Sequence, residues 1–310
     1  MINRRHIRVK VMQAVYATLQ SKTDDLNVQE KHLSRSIEDM TQLKVLLLTI
    51  LVEIQKLAEE KQQKSKKKFI ASDQDFSNQK FIDNRLIKQL RNSKSLKLFI
   101  EENKLNNWTL DFEYIQNLWS AIQQSDAYAS YLSKSDSFEN DKSFVITIFK
   151  NIIAPDEKLY EYFEDKNISW VDDIPFINTL IVKELEFLKS EGTYRLRPIY
   201  KDEEDKKFVT ELYRKVTLNH HKFNDLINEK TPNWESDRIA EVDLILIKMA
   251  ITEFLYFASI PTRVTINEYI EIAKDYSSQK SSFFINGVLD KLLKEFTDKG
   301  EIKKIGRGLM

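Results

Sequence analysis

Residues 261–296 read PTRVTINEYIEIAKDYSSQKSSFFINGVLDKLLKEF, two compact helical segments punctuated by a single glycine. In the second segment Ile285, Val288, Leu289, Leu292 and Phe296 recur at i, i+3, i+4, i+7 and i+11, the core stripe of one helix face. Phe284 falls to one side of that stripe and Phe283 nearly opposite it. The first segment opens with Thr265-Ile-Asn-Glu268, which predicts a capping box at the start of a helix, with Val264 stapled against Tyr269.

Upstream, Leu244 to Phe257 is the most apolar run of the chain. It contains Lys248 and Glu253 and falls short of the roughly 20 residues a membrane span needs. It reads as the core of a buried helix from about Ser236 to Ala258. Asp237, Glu241, Lys248 and Thr252 form one narrow polar stripe on it, so it is expected at the centre of a bundle. A helix from Lys206 to about Lys230 precedes it and is broken by Pro232.

The same periodicity extends toward the N-terminus. A first helix is expected from about Asn3 to Ser21 and a second from about Gln29 to Lys61, the latter ending in the lysine-rich KQQKSKKKF. Between residues 70 and 200 the pattern predicts helices over Asn78–Glu102, Leu110–Leu132, Asp141–Ile153, Pro155–Asp165 and Pro175–Lys189. Pro155 and Pro175 suit a first helical turn, where the missing N–H is not needed.

Three of the five glycines lie in the last eleven residues, which excludes a glycine-rich phosphate loop and a dinucleotide-binding fold. The fold class is all-α. The expected division is an N-terminal subdomain at 1–69, an acidic helical insertion at 70–203, a C-terminal bundle at 204–298 and a flexible basic tail at 299–310.

The 48 Lys+Arg and 48 Asp+Glu cancel overall, but they are not evenly spread. Residues 1–70 carry 14 basic and 8 acidic side chains, residues 71–205 carry 17 and 25, and residues 206–310 carry 17 and 15. Basic ends flanking an acidic middle allow a local polyanion surface on a neutral protein.

There is no cysteine, hence no disulfide or thiolate metal site, and a reducing cytoplasm fits. Lys10, Gln13 and Gln20 interrupt the opening segment, so no signal peptide is read there. His220-His221 and His32 lack metal-ligand spacing, and no cofactor is expected. No nucleophile, base or phosphate loop can be named, so the chain is expected not to be an enzyme.

Two constellations carry the functional expectation. Arg4, Arg5, Arg8 and Lys10 crowd the start of the first helix, where positive charge opposes the helix dipole. Either an ordinary solvated basic end or a phosphate-binding site fits them. On the last helix, Phe284 has Gly287 and Lys291 as helical neighbours, so a base stacks on the ring while the lysine meets a phosphate, or else the ring packs internally. Val9, Met12 and Tyr16 form a second apolar strip on the first helix. The run Lys61, Lys64, Lys66, Lys67 and Lys68 reads as solvated, and Asp202–Asp205 as the dipole cap of the next helix.

Arg4-Arg5-His6-Ile7-Arg8 followed by Met12-Gln13-Ala14-Val15-Tyr16 resembles the opening helix of the NusB family. Ile260 to Lys274, IPTRVTINEYIEIAK, and Ser282 to Lys291, SFFINGVLDK, are similar to that family's two C-terminal signatures. His6 replaces a frequent arginine, Lys280 a frequent acid, and no tyrosine lies near Thr231.

The resemblance implies a non-enzymatic RNA-binding factor of transcription antitermination and ribosomal RNA synthesis. It would recognise boxA-type single-stranded RNA, pair with the ribosomal protein NusE and join the transcription elongation complex. Carried over, Arg4, Arg5 and Arg8 fall on the RNA-binding arginine motif and Phe284 on the stacking phenylalanine, while Tyr16 and Asp243 fall near positions facing NusE. Four phosphate contacts would give a salt slope of at most about −3. A helical protein–protein scaffold without RNA remains the alternative.

Overall fold

The computed structural model describes residues 1–21, 25–66, 78–230 and 239–309; among these every regular element is helical. Two compact units form. One combines Met1–Ile37 with Tyr200–Met310, and the other spans Glu38–Ile199. No helix among the described residues is long and apolar enough to cross a membrane.

The first unit is built round the Glu241–Tyr256 helix, which is buried on nearly every side. The Arg4–Ser21, Glu203–Leu218, Thr262–Tyr276 and Ser281–Asp298 helices pack about it. Of its polar stripe, Lys248 and Thr252 are buried and Glu241 is exposed. Thr252 returns its hydroxyl to the Lys248 carbonyl at 2.8 Å, and the Lys248 Nζ lies 2.9 Å from His220 Nδ1. Burial lowers the Lys248 pKa to about 8 and that of His220 to about 4. Asp237 and Pro232 lie outside the described residues.

Several expected helices are divided. The Lys206–Lys230 helix is two, Glu203–Leu218 and His220–Lys230, separated at Asn219, whose side chain donates to the Lys215 carbonyl at 2.8 Å. As expected, the acidic run caps the first of these: the Asp202 carboxylate accepts from the Asp205 amide at 3.0 Å. The second helix of the chain is longer than expected, Leu26–Lys66; Lys67, Lys68 and Phe69 lie outside the described residues.

In the second unit the expected Asn78–Glu102 helix is Gln79–Ile82, Arg85–Arg91 and Lys94–Glu102. Asn84 and Ser93 interrupt it because their side chains accept from the Ile87 and Leu96 amides and so begin new helices. Ser125 divides the Leu110–Leu132 segment in the same way, capping Tyr128. Pro155 stands two residues before the Glu157–Lys166 helix, while Pro175 lies in the first turn of Asp173–Glu186.

The core of this unit is aromatic. Phe81 stacks on Trp119 at 4.8 Å, and Tyr131 on Phe144 at 4.1 Å. Lys44, fully buried, donates to Glu184 at 3.2 Å and to the Arg197 carbonyl at 3.0 Å.

Candidate nucleic-acid interface

The capping-box expectation is corrected. The helix begins one turn earlier, at Thr262 behind Pro261, which leaves Thr265 inside it and Val264 44% exposed rather than stapled. Thr265 and Tyr269 turn inward because Glu253, a fully buried carboxylate, requires donors.

Four bonds meet that carboxylate. Arg8 Nε donates at 2.7 Å and its NH2 at 2.9 Å, Thr265 Oγ1 at 2.9 Å and the Tyr269 hydroxyl at 2.8 Å. Burial alone would pull the Arg8 pKa down, but the charge and hydrogen bonds of Glu253 override it and the net shift is upward. Burial, then Glu253, raises Tyr269 well above the ordinary tyrosine value.

Arg8 is therefore 2% exposed and held by an internal partner, and Lys10 is also 2% exposed. The expectation that these two meet phosphate directly is corrected: both side chains point into the unit. Val9 and Met12, two members of the second apolar strip, are buried too.

Arg4 and Arg5 remain at the surface. Together with Arg8 they line a cleft of about 910 Å³ whose other walls include Lys201, Asp202, Glu204, Asp205, the Ser259–Pro261 turn and Glu268. Arg4 NH2 donates to Glu204 at 2.9 Å and its Nε to Asp205 at 3.1 Å; its guanidinium lies 5.0 Å from the Phe208 ring centre. Arg5 grips Glu268 side-on, Nε at 3.1 Å and NH2 at 2.9 Å, and this hydrogen bonding raises its pKa further. The positive charge that opposes the first helix's own dipole is thus offset by carboxylates from two other helices.

Phe284 and Lys291 do not line this cleft. Both lie on the Ser281–Asp298 helix, with Phe284 half-buried and Lys291 exposed. The surface at Gly287 between them is open, with nothing within 4 Å of where a Cβ would stand. Phe283, opposite the core stripe, is 82% exposed. Tyr16 is 42% exposed on the first helix. Asp243 is buried in the first turn of the Glu241–Tyr256 helix, and its Oδ1 has no hydrogen-bond partner among the described residues.

Sequence reasoning did not anticipate the carboxylates. Glu253 had a signal, an acid inside the most apolar run, which calls for a buried cation. Glu204, Asp205 and Glu268 had none that pointed to the arginines. Nor was the C-terminal segment anticipated. Instead of a free tail, Lys304 Nζ donates to the Glu253 and Phe257 carbonyls at 2.9 Å each, and the Ile305 amide donates to Ala258 at 3.1 Å. No group of acidic or histidine side chains suited to a metal occurs among the described residues.

Residues 179–294 match the NusB family. The transcription antitermination protein NusB of Salinibacter ruber is 39% identical over 113 residues, 36% of this chain and 71% of that protein. Its namesake from Chloroherpeton thalassium is 43% identical over 105 residues, 34% of this chain and 50% of that protein. That of Natranaerobius thermophilus is 40% identical over 85 residues, 27% of this chain and 61% of that protein. No solved structure matches. The Salinibacter alignment, 39% identical and covering more than two thirds of that protein, settles the kinship: the chain belongs to the NusB family.

Proposed function

We propose that this protein is an RNA-binding transcription antitermination factor, acting in ribosomal RNA synthesis as an adaptor and not as an enzyme. The observation that carries the reading is the gathering of Arg4 and Arg5, both partly exposed, at one cleft on the unit that holds the family's C-terminal signatures. Planar guanidinium forks suit phosphate oxygens.

In this reading a boxA-type single-stranded RNA meets Arg4 and Arg5 through its backbone. Phe284 offers a face for a base, and Lys291 a further phosphate contact. Arg8 and Lys10 act from inside, fixing the first helix so that the two outer arginines are presented.

NusE would dock on a surface that includes Tyr16, with buried Asp243 shaping the adjoining helix start, and the pair would join the elongation complex. A titration of labelled boxA-type RNA, with and without NusE, tests this reading. Salt-dependent binding that NusE tightens supports it, and the absence of RNA binding under both conditions returns the protein to the scaffold alternative.

A further inference from the structure

The basic cleft is not electrostatically basic. Arg4, Arg5, Arg8 and Lys201 on its walls are matched by Asp202, Glu204, Asp205 and Glu268. The two arginine forks that face solvent are already engaged in the geometry a phosphate would require, Arg4 by one oxygen each of Glu204 and Asp205, Arg5 by both oxygens of Glu268.

The acids differ in how firmly they are placed. The Asp205 side chain is 7% exposed and its amide is tied to the Asp202 cap. Glu204 is 61% exposed, and Arg4 is its one partner among the described residues. Glu268 is 21% exposed and also lies 3.6 Å from Arg8.

An exposed ion pair contributes little to stability, so Glu204 can be given up to a better anion at small cost, while Glu268, less exposed and also near Arg8, yields Arg5 at a somewhat greater one. Asp205 and the Phe208 ring meanwhile keep Arg4 in place.

We propose that Glu204 and Glu268 are resident anions of the arginine cleft, acting as affinity-setting residues that RNA phosphates must displace. The inference rests on the RNA-binding reading above. The exchange is one of hydrogen-bond acceptors alone: each fork releases a carboxylate and accepts phosphate oxygens, and no proton or covalent bond moves. Its consequence is selectivity. A lone phosphate recovers little more than the carboxylate it replaces, whereas a polynucleotide engages both forks at once and gains from their linkage. Both carboxylates then remain nearby as like charges that penalise a poorly placed backbone.

The experiment measures the affinity of the full chain for a boxA-type single-stranded RNA at fixed ionic strength. Glu204→Gln and Glu268→Gln are each expected to tighten binding about two- to fivefold. Glu203→Gln removes a neighbouring exposed acid whose partner is Lys206, and is expected to leave affinity nearly unchanged. In an Arg4→Gln background, Glu204→Gln should lose its effect, which separates relief of Arg4 from a general gain in net charge.

If Arg4→Gln and Arg5→Gln weaken binding while neither glutamine variant tightens it, the resident-anion proposal is overturned and the RNA-binding reading stands. Equal tightening by Glu203→Gln also overturns it. If the arginine variants leave RNA binding unchanged, the reading and the proposal fall together.

Discussion

Arg8 and Glu253 face each other in a two-point ion pair in the interior of the first unit, Nε to Oε1 at 2.7 Å and NH2 to Oε2 at 2.9 Å, with exposures of 2% and 0%. The pair joins the first helix to the helix at the centre of the bundle. Removing one charge leaves the other without compensation in a low-dielectric site. Glu253→Gln is therefore expected to destabilise the protein by about 3–5 kcal/mol in denaturant unfolding. The double change Arg8→Met with Glu253→Leu should recover most of that loss, and a double variant no more stable than the single one contradicts the assignment.

The C-terminal segment is expected to contribute measurably to stability. A Cβ on Gly308 would lie 2.0 Å from the Ala258 carbonyl oxygen, so Gly308→Ala forces the segment away from its seat. An overpacking loss of about 1–3 kcal/mol is expected in the same unfolding assay. Lys304→Met, which leaves the Glu253 and Phe257 carbonyls at the helix end without their donor, should cost about 1 kcal/mol. Unchanged stability in both variants would show the contact to be incidental.

Stability should rise with pH in the mildly alkaline range. Burial lowers Lys248 and Lys304 to about 8 from an ordinary 10.5, and it lowers Lys44 in the same direction. Between the folded and unfolded values the unfolded chain binds more protons, so raising pH favours the folded state; below about pH 8 both states are protonated and the increment is absent. Denaturant titrations from pH 7.5 to 9.5 are expected to gain about 2–4 kcal/mol from the two lysines together. Lys248→Met should remove about half of the rise and leave the share of Lys304, and a profile that falls over this range contradicts the assignment.

The two adjacent phenylalanines should separate function from packing. Phe284→Ala is expected to weaken RNA binding by about 1–3 kcal/mol while the unfolding midpoint moves little. Phe283→Ala, at a position 82% exposed, should change stability by no more than about 0.5 kcal/mol. Loss of fold in Phe284→Ala, with normal RNA affinity in the folded fraction, would make that ring a packing residue.

The period of apolar residues made the all-α class legible, along with the central position of the Glu241–Tyr256 helix and the outward direction of Phe283. Helix ends were less legible. Asn84, Ser93 and Ser125 sit within patterns that read as continuous helix, and their side chains end one helix and cap the next through local hydrogen bonds that periodicity does not record.

The crowding of the arginines at one helix start was legible in the sequence; the burial and the partner of each were not. Periodicity has no access to a carboxylate some 245 residues away in sequence that draws Arg8 inward, nor to Glu204 and Glu268 on helices that reach Arg4 and Arg5 only through the fold. Thr265 was misread for the same reason: its local spacing fits a cap, while its hydroxyl is engaged by the buried Glu253.

The salt dependence of boxA-type RNA binding tests the central claim most directly. With Arg8 and Lys10 inside, the proposed phosphate contacts are Arg4, Arg5 and Lys291, so log affinity against log salt should have a slope of about −2, made of roughly −0.7 per contact. Arg4→Gln and Arg5→Gln should each make it shallower by about 0.7. A slope near zero, or one that neither arginine variant alters, would contradict the account.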